Sequence, residues 1–245
     1  MTAYKPSSEL MAEAFERARE QWRDRAREER AVAPAVAVKA PPACTIAISR
    51  ERGTGGGAIA RVVGEKLGWP VYDRELLERI SDETGLRTDL LESLDEKRSH
   101  WLVEAMEAFG GVRTISGPTY AHRLAECMLA LSAHGHSVIV GRGATGVLPS
   151  ATTLRVRFCA PLEVRVGRLC QTLGMSESTA RHHIDKIDRD RAAFVQQHFG
   201  GDVNDVHRYD LVINTARFST EQAAEIVVAA LRQLEAQVQA NSTPR

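Results

Sequence analysis

Residues Cys44 to Leu67 read CTIAISRERGTGGGAIARVVGEKL, and the fold is decided there. Cys44-Thr45-Ile46-Ala47-Ile48 is an apolar run rich in β-branched residues, long enough for one buried strand. Ser49-Arg50-Glu51-Arg52 follows, and then Gly53-Thr54-Gly55-Gly56-Gly57. Ile59, Val62, Val63 and Leu67 recur at helical spacing, and Gly68 stands where a helix C-cap belongs. A strand, a glycine turn and a helix in that order aim backbone N–H groups and the positive end of a helix at one point, which is how proteins hold phosphate. The N–H groups converge only where some residues take positive φ and no side chain blocks the approach, hence glycine.

Further along, Trp69 to Asp73 reads as a short strand ending in an acid, with a helix from Arg74. Residues 85–111 have a helical pattern, Gly110 to Pro118 is loop-like, and Tyr120 to His134 is helical again. Ser137–Val140, Leu154–Cys159 and Tyr209–Asn214 are further strands. Pro161 opens a helix carrying Arg165 and Arg168, Met175–Phe199 forms another, and Thr220–Leu234, with Thr220 as N-cap, closes the chain. Strands alternating with helices predict a parallel sheet covered on both faces. Ahead of all this, Ser8 to Arg30 has an amphipathic helical period, and Ala31 to Ala43 is a Pro/Ala linker.

The 245 residues hold one good core, with 43% hydrophobic and 26% charged residues. A formal net charge of zero supplies no global field toward a nucleic-acid polymer or a membrane. No apolar run spans a bilayer and no signal peptide is visible, so a cytoplasmic protein is expected. Cys44, Cys127, Cys159 and Cys170 lack metal-ligand spacing and suit reduced thiols.

Two phosphate-binding designs fit the loop. Gly53-x-Gly55-x-x-Ala58 satisfies the dinucleotide fingerprint, with Asp73 about twenty residues on. Three charged residues separate the strand from Gly53, however, where that design places glycine almost at once. The P-loop, G-x-x-x-x-G-K-[ST], matches the loop length. It puts Arg50 at the first glycine, Gly55 at the second, Gly56 at the lysine and Gly57 at the Ser/Thr. Phosphoryl transfer needs positive charge around the moving group, and Arg142, Arg165, Arg168, Arg189 and Arg191 supply it downstream, which favours the P-loop.

Five motifs then line up in order. They are Ile48-Ser49-Arg50-Glu51-x-Gly53-Thr54-Gly55-Gly56, Tyr72-Asp73-Arg74-Glu75-Leu76, Val138-Ile139-Val140-Gly141-Arg142-Gly143-Ala144, Asp188-x-x-Arg191 and Tyr209-Asp210-Leu211-Val212-Ile213-Asn214-Thr215. Together they resemble the cytidylate-kinase-like family, a nucleoside monophosphate kinase branch of the P-loop kinases, from Cys44 to Leu234. The resemblance implies an α/β fold with a P-loop kinase-like parallel sheet flanked by helices over residues 44–238. It also implies a helical monophosphate-binding insertion around Gly85–Pro118 and a lid around Gly174–Gly201; residues 239–245 are expected to form a flexible tail. Members move the γ-phosphoryl of ATP to CMP or dCMP with Mg²⁺. By position, Arg50, Arg52, Gly53, Thr54, Gly55, Gly56 and Gly57 would bind ATP, and Asp73, Arg74 and Arg142 would face the acceptor. Arg165, Arg189 and Arg191 would close over the transferring group, with Asp188 orienting them. The Mg²⁺ ligands are not assigned.

Ordinary cytidylate kinases carry a lysine where Gly56 stands. The branch that this chain resembles has glycine there and commonly arginine next, where this chain has Gly57, so these two positions have neither lysine nor hydroxyl. Either Arg50 or Arg52 then substitutes for the lysine, or the protein is a catalytically weak nucleotide-binding regulatory module. Such a module would act through its N-terminal helix, and residues 8–30 are the expected site of a protein partner or of self-association.

Overall fold

The computed structural model describes residues 16, 17, 20–22, 24, 43–94, 96–111 and 120–242. Its sheet is built from β1 (Thr45–Arg50), β2 (Val71–Tyr72), β3 (Ser137–Val140), β4 (Thr153–Cys159) and β5 (Leu211–Asn214), in the order β2-β3-β1-β4-β5. Every pairing is parallel, as the alternation of strands and helices requires. The register sets Ile46 beside Val138 and Leu154, Ile48 beside Val140 and Val156, and Phe158 beside Ile213. Because side chains alternate along a strand, these residues share one face.

That face packs on α1 (Gly56–Leu67) and the chain's last helix, Thr220–Ser242, through Ile59, Ala60, Val63, Ala223, Ala224, Val227 and Leu231. Ala47 and Ile139 point the other way and are also buried, so the central strands carry continuous apolar runs. Lys66 on α1 reaches Glu221 at 3.3 Å and Glu225 at 3.6 Å across the helix pair. Gly64 marks how closely α1 approaches β2. A Cβ there would collide with Val71 and lie 2.8 Å from the carbonyl oxygen of Trp69. Gly64→Ala is expected to lower stability by ~1–3 kcal/mol, the usual range for overpacking. A urea midpoint equal to wild type would refute it.

Further helices are α2 (Arg74–Asp82), α3 (Thr84–Glu92), α4 (Glu96–Gly111), α5 (Tyr120–His134), α6 (Ala144–Val147), α7 (Leu162–Leu173) and α8 (Glu177–Phe199), with α9 the Thr220–Ser242 helix. A short 3₁₀ turn covers Val206–Arg208. Contacts divide the chain into two compact units, Met1–Ala40 with Glu75–His134, and Pro41–Arg74 with Gly135–Arg245. The helical unit takes in more chain on each side than Gly85–Pro118. Within it, Tyr120 donates to Glu78 at 3.2 Å, and Ser93 and His134 lie 2.9 Å apart. Arg87 pairs with Glu126 at 3.9 Å. Glu16, Arg17, Glu20, Gln21, Trp22 and Asp24 are helical and Trp22 is buried. The rest of the expected Ser8–Arg30 helix, the linker to Pro42 and the loop from Val112 to Thr119 lie outside the described residues.

Some boundaries differ from expectation. The N-cap of α9 is Ser219 rather than Thr220: Ser219 Oγ accepts from the Gln222 amide at 3.2 Å, and Gln222 Oε1 accepts from the Ser219 amide at 3.0 Å. This reciprocal capping box satisfies two otherwise orphaned donors. The helix then continues past Leu234 to Ser242, because Val238 still joins the core. α8 starts at Glu177, where Ser176 Oγ accepts from the Thr179 amide at 3.3 Å.

Candidate active site

The loop between β1 and α1 lies at the carboxyl end of the central strand, where open parallel sheets take their ligands. Gly53 has φ +86° and Gly55 has φ +76°, so both occupy conformations that side chains resist. Gly53 is also close-packed, since a Cβ on it would lie 2.9 Å from Arg165 Cβ. Thr54 is buried, its Oγ1 donating to the Glu51 carbonyl at 2.9 Å. The carbonyls of Arg52 and Thr54, and that of Arg50 just before the turn, are held from outside the loop.

Three arginines do that holding. Arg191 Nη1 donates to the Arg50 carbonyl at 3.0 Å, Arg165 Nη1 to that of Arg52 at 3.2 Å, and Arg168 Nη1 to that of Thr54 at 3.1 Å. Alternate carbonyls are thus occupied by guanidinium groups from α7 and α8. The Glu51 amide donates to the Phe158 carbonyl at 3.1 Å, and the Arg52 amide to Asp188 Oδ1 at 2.7 Å. Among the described residues, the amides from Gly53 to Gly57 have no acceptor. A run of unsatisfied N–H groups opening into a helix N-terminus is an anion nest.

Asp188 is the bracket between loop and α8. Its Oδ1 takes the Arg52 amide and its Oδ2 takes Arg165 Nη1 at 2.6 Å. Arg165 is 12% exposed and also donates from Nε to the Ala160 carbonyl at 3.0 Å, with Glu51 Oε2 at 3.5 Å. Arg168 is held further by Thr215, through its hydroxyl at 3.0 Å and its carbonyl at 2.6 Å. Arg52 Nε donates to His183 Nε2 at 3.2 Å, which requires that nitrogen to be unprotonated. Burial, then the nearby charge of Arg52, holds the His183 imidazole below its ordinary range, which favours the neutral ring that this bond needs.

A second cluster sits beside the nest. Arg50 leaves the end of β1, passes Gly56 and lays its guanidinium against Gly141 after β3. Burial pushes Arg50 down to about 9, with Arg191 acting the same way, Asp73 opposing, and Arg142 and Arg74 adding to the fall. Arg142 is pushed down to about 10 by burial and then by Arg74 and Arg191, and its guanidinium carbon lies 4.5 Å over the Phe194 ring. Arg142 also takes φ +50°, an uncommon conformation for a non-glycine residue and one tied in many proteins to function. Arg50, Arg74, Arg142 and Arg191 thus outnumber Asp73 in a partly desolvated space, and an anion there would relieve their repulsion.

The structure therefore brings together Arg50, Arg52, Gly53, Thr54, Gly55, Gly56, Gly57, Arg165, Asp188 and Arg191, and it sets Asp73, Arg74 and Arg142 beside Arg50. Arg189 is not among them. It is exposed and pairs with Asp185 on its own helix. Residue types alone missed Glu51 and Arg157. Arg157 is 7% exposed, donates to Ser49 Oγ at 3.2 Å and to Asn204 Oδ1 at 3.0 Å, and reaches Glu51 at 3.6 Å and the Tyr209 ring at 5.6 Å. An arginine set between Val156 and Phe158 in a buried strand was the available signal. Burial raises the Cys44 thiol to about 11 and the Cys127 thiol to about 12, so both stay protonated and take no part.

Among the described residues, no cluster of three His, Cys, Asp or Glu is placed to hold a metal ion, and no helix is long and apolar enough to cross a membrane. Ser49 Oγ and Thr54 Oγ1 are engaged within the protein. The nest fits phosphate oxygens, while a Mg²⁺ ion would depend on phosphate oxygens for most of its ligands.

Comparison with known proteins agrees with this geometry. The family model described as "Cytidylate kinase-like family" matches residues 45–217. The chain is 27% identical over 192 residues to a cytidylate kinase of Methanothrix thermoacetophila, covering 78% of this chain and 99% of that one. It is 26% identical over 179 residues to a cytidylate kinase of Methanothermobacter thermautotrophicus, covering 72% and 98%. An uncharacterized protein from Eubacterium ventriosum shares the fold, with a TM-score of 0.60, 24% identity, and coverage of 78% of this chain and 98% of that one. With the model matching most of its length, from β1 to just beyond β5, the chain belongs to the cytidylate kinase-like family.

Proposed function

We propose that the protein transfers the γ-phosphoryl group of ATP to CMP, dCMP or a related nucleoside monophosphate, using Mg²⁺ delivered with the nucleotide. The observation that carries this is the pairing of an amide nest with an adjacent excess of arginine charge. The nest, Gly53 to Gly57, would hold the β- and γ-phosphates. Arg50, Arg74 and Arg142 would hold the acceptor phosphate and the group in transfer, with Asp73 beside them. Mg²⁺ would neutralise the phosphate oxygens as charge shifts toward the leaving group. Arg165, Arg168, Arg191 and Asp188 would serve mainly by keeping the loop carbonyls turned away from those phosphates.

The regulatory-module alternative draws on one fact, that positions 56 and 57 are both glycine. A coupled ADP-release assay with ATP, Mg²⁺ and a panel of nucleoside monophosphates separates the two. Turnover highest with CMP or dCMP is expected. ATP binding by calorimetry without turnover on any acceptor would reject the kinase and favour the module.

A further inference from the structure

We infer that Arg50 takes the place of the absent P-loop lysine, so that the phosphate-holding cation enters from the end of β1 and not from the first turn of α1. This rests on the phosphoryl-transfer role proposed above and names the side chain that would touch the terminal phosphoryl group of a nucleoside triphosphate.

The geometry of Gly56 points to it. A Cβ on Gly56 would lie 2.9 Å from Arg50 Cβ, 3.2 Å from its Cγ and 3.1 Å from Phe158 Cδ2. The space that a lysine stem would leave from is thus already filled by the stem of Arg50. Arg50 has no room to step aside, because its backbone is registered beside Phe158 in the sheet and its carbonyl is held by Arg191. The exchange also explains why glycine follows at 56: once arginine replaces the first glycine of the loop, the lysine position must lose its side chain. The two departures from the P-loop pattern are then one change.

The donors complete the case. Arg52 is engaged with His183, Arg165 with Asp188 and two carbonyls, and Arg168 with Thr54 and Thr215. Among the described residues, the Arg50 guanidinium has neither a hydrogen-bond acceptor nor a carboxylate in salt-bridge range. It lies at the end of β3, against Gly141, where a Cβ would run into its Nη1. A planar cation with five donors in that place suits bidentate contact with a phosphoryl group.

The test compares wild type, Arg50→Met and Arg52→Met, with ATP affinity measured by calorimetry and turnover by ADP release. Arg50→Met, which keeps the stem and removes the charge, should weaken ATP binding about tenfold and lower turnover about a hundredfold. Arg52→Met should lose less on both counts. The paired variant Arg50→Gly/Gly56→Lys, which restores the ordinary loop pattern, should bind ATP about tenfold more tightly than Arg50→Gly alone. Arg50→Met binding ATP as wild type does, or Arg52→Met losing more, overturns the inference. So does a folded paired variant, judged by its melting transition, that is no better than Arg50→Gly. If the paired variant fails to fold, the two methionine variants decide. Wild type that binds ATP but phosphorylates no acceptor rejects the proposed activity, while the affinity comparison still judges Arg50. Wild type that binds no ATP rejects both.

Discussion

Gly53→Ala is expected to lower phosphoryl transfer roughly a thousandfold while leaving a folded protein. Two penalties combine at this position. An alanine at φ +86° sits in the left-handed region, at a cost of ~1–2 kcal/mol. Its Cβ would also lie 2.9 Å from Arg165 Cβ and 3.0 Å from the Arg165 carbonyl oxygen, which is backbone and yields poorly, adding ~1–3 kcal/mol. The loop can escape both by rotating the Arg52–Gly53 peptide, but that breaks the Arg165 bond to the Arg52 carbonyl and turns an amide out of the nest. The strain therefore falls on phosphate binding more than on global stability. Calorimetry should show ATP affinity lost in step with turnover, and a melting point within a few degrees of wild type. An alanine variant that binds ATP normally would show that the Gly53 amide is not part of the phosphate site.

Much of this was legible from residue order. All five strands were visible, β1 and β3 most plainly as β-branched runs, because strands in the middle of a parallel sheet are buried on both faces and burial is what hydropathy records. The glycine turn between β1 and α1 was visible because glycine at a strand–helix junction has few other uses. What one-dimensional order hides is which partners meet. Arg165, Arg168 and Arg191 stood out as a set of cations, yet their hydrogen bonds run to carbonyls more than a hundred residues earlier in the chain. Only the folded backbone shows that they shape the loop. Glu51 likewise resembles a solvated loop acid until β4 brings Arg157 to it. Arg189 was within reach of a finer argument. Ala180 and Ile184 are the buried residues of α8 near this point, and Asp188 and Arg191 fall on their side of the helix. At 100° per residue Arg189 falls away from that side, where it meets Asp185 four residues back.

Asp188→Ala should be the most damaging change outside the loop itself. The carboxylate accepts the Arg52 amide and Arg165 Nη1 together, with Arg191 Nη1 4.0 Å away. A hydrogen bond to a charged group contributes ~1.5–3 kcal/mol. Removing an acid from a half-buried set of arginines also leaves their repulsion less opposed, and Asp188 is the group that offsets it for Arg191. Partial exposure of Asp188 moderates the penalty, so a stability loss of ~2–3 kcal/mol is expected rather than the full value for a buried pair. The functional loss should be larger than that figure suggests, since the Arg52 amide and the Arg52 carbonyl are both positioned through this one side chain, the latter by way of Arg165. Turnover should fall roughly several hundredfold in ADP release, with ATP affinity falling too. Asp188→Asn separates geometry from charge: it keeps one oxygen acceptor for the Arg52 amide and gives up the ion pair with Arg165. It should recover part of the ATP affinity while keeping most of the stability loss. Equal loss of affinity in Asn and Ala variants would mean that charge, not the fixed position of the loop, is what Asp188 supplies. Wild-type affinity in both would remove the loop–helix bracket from the account of the site.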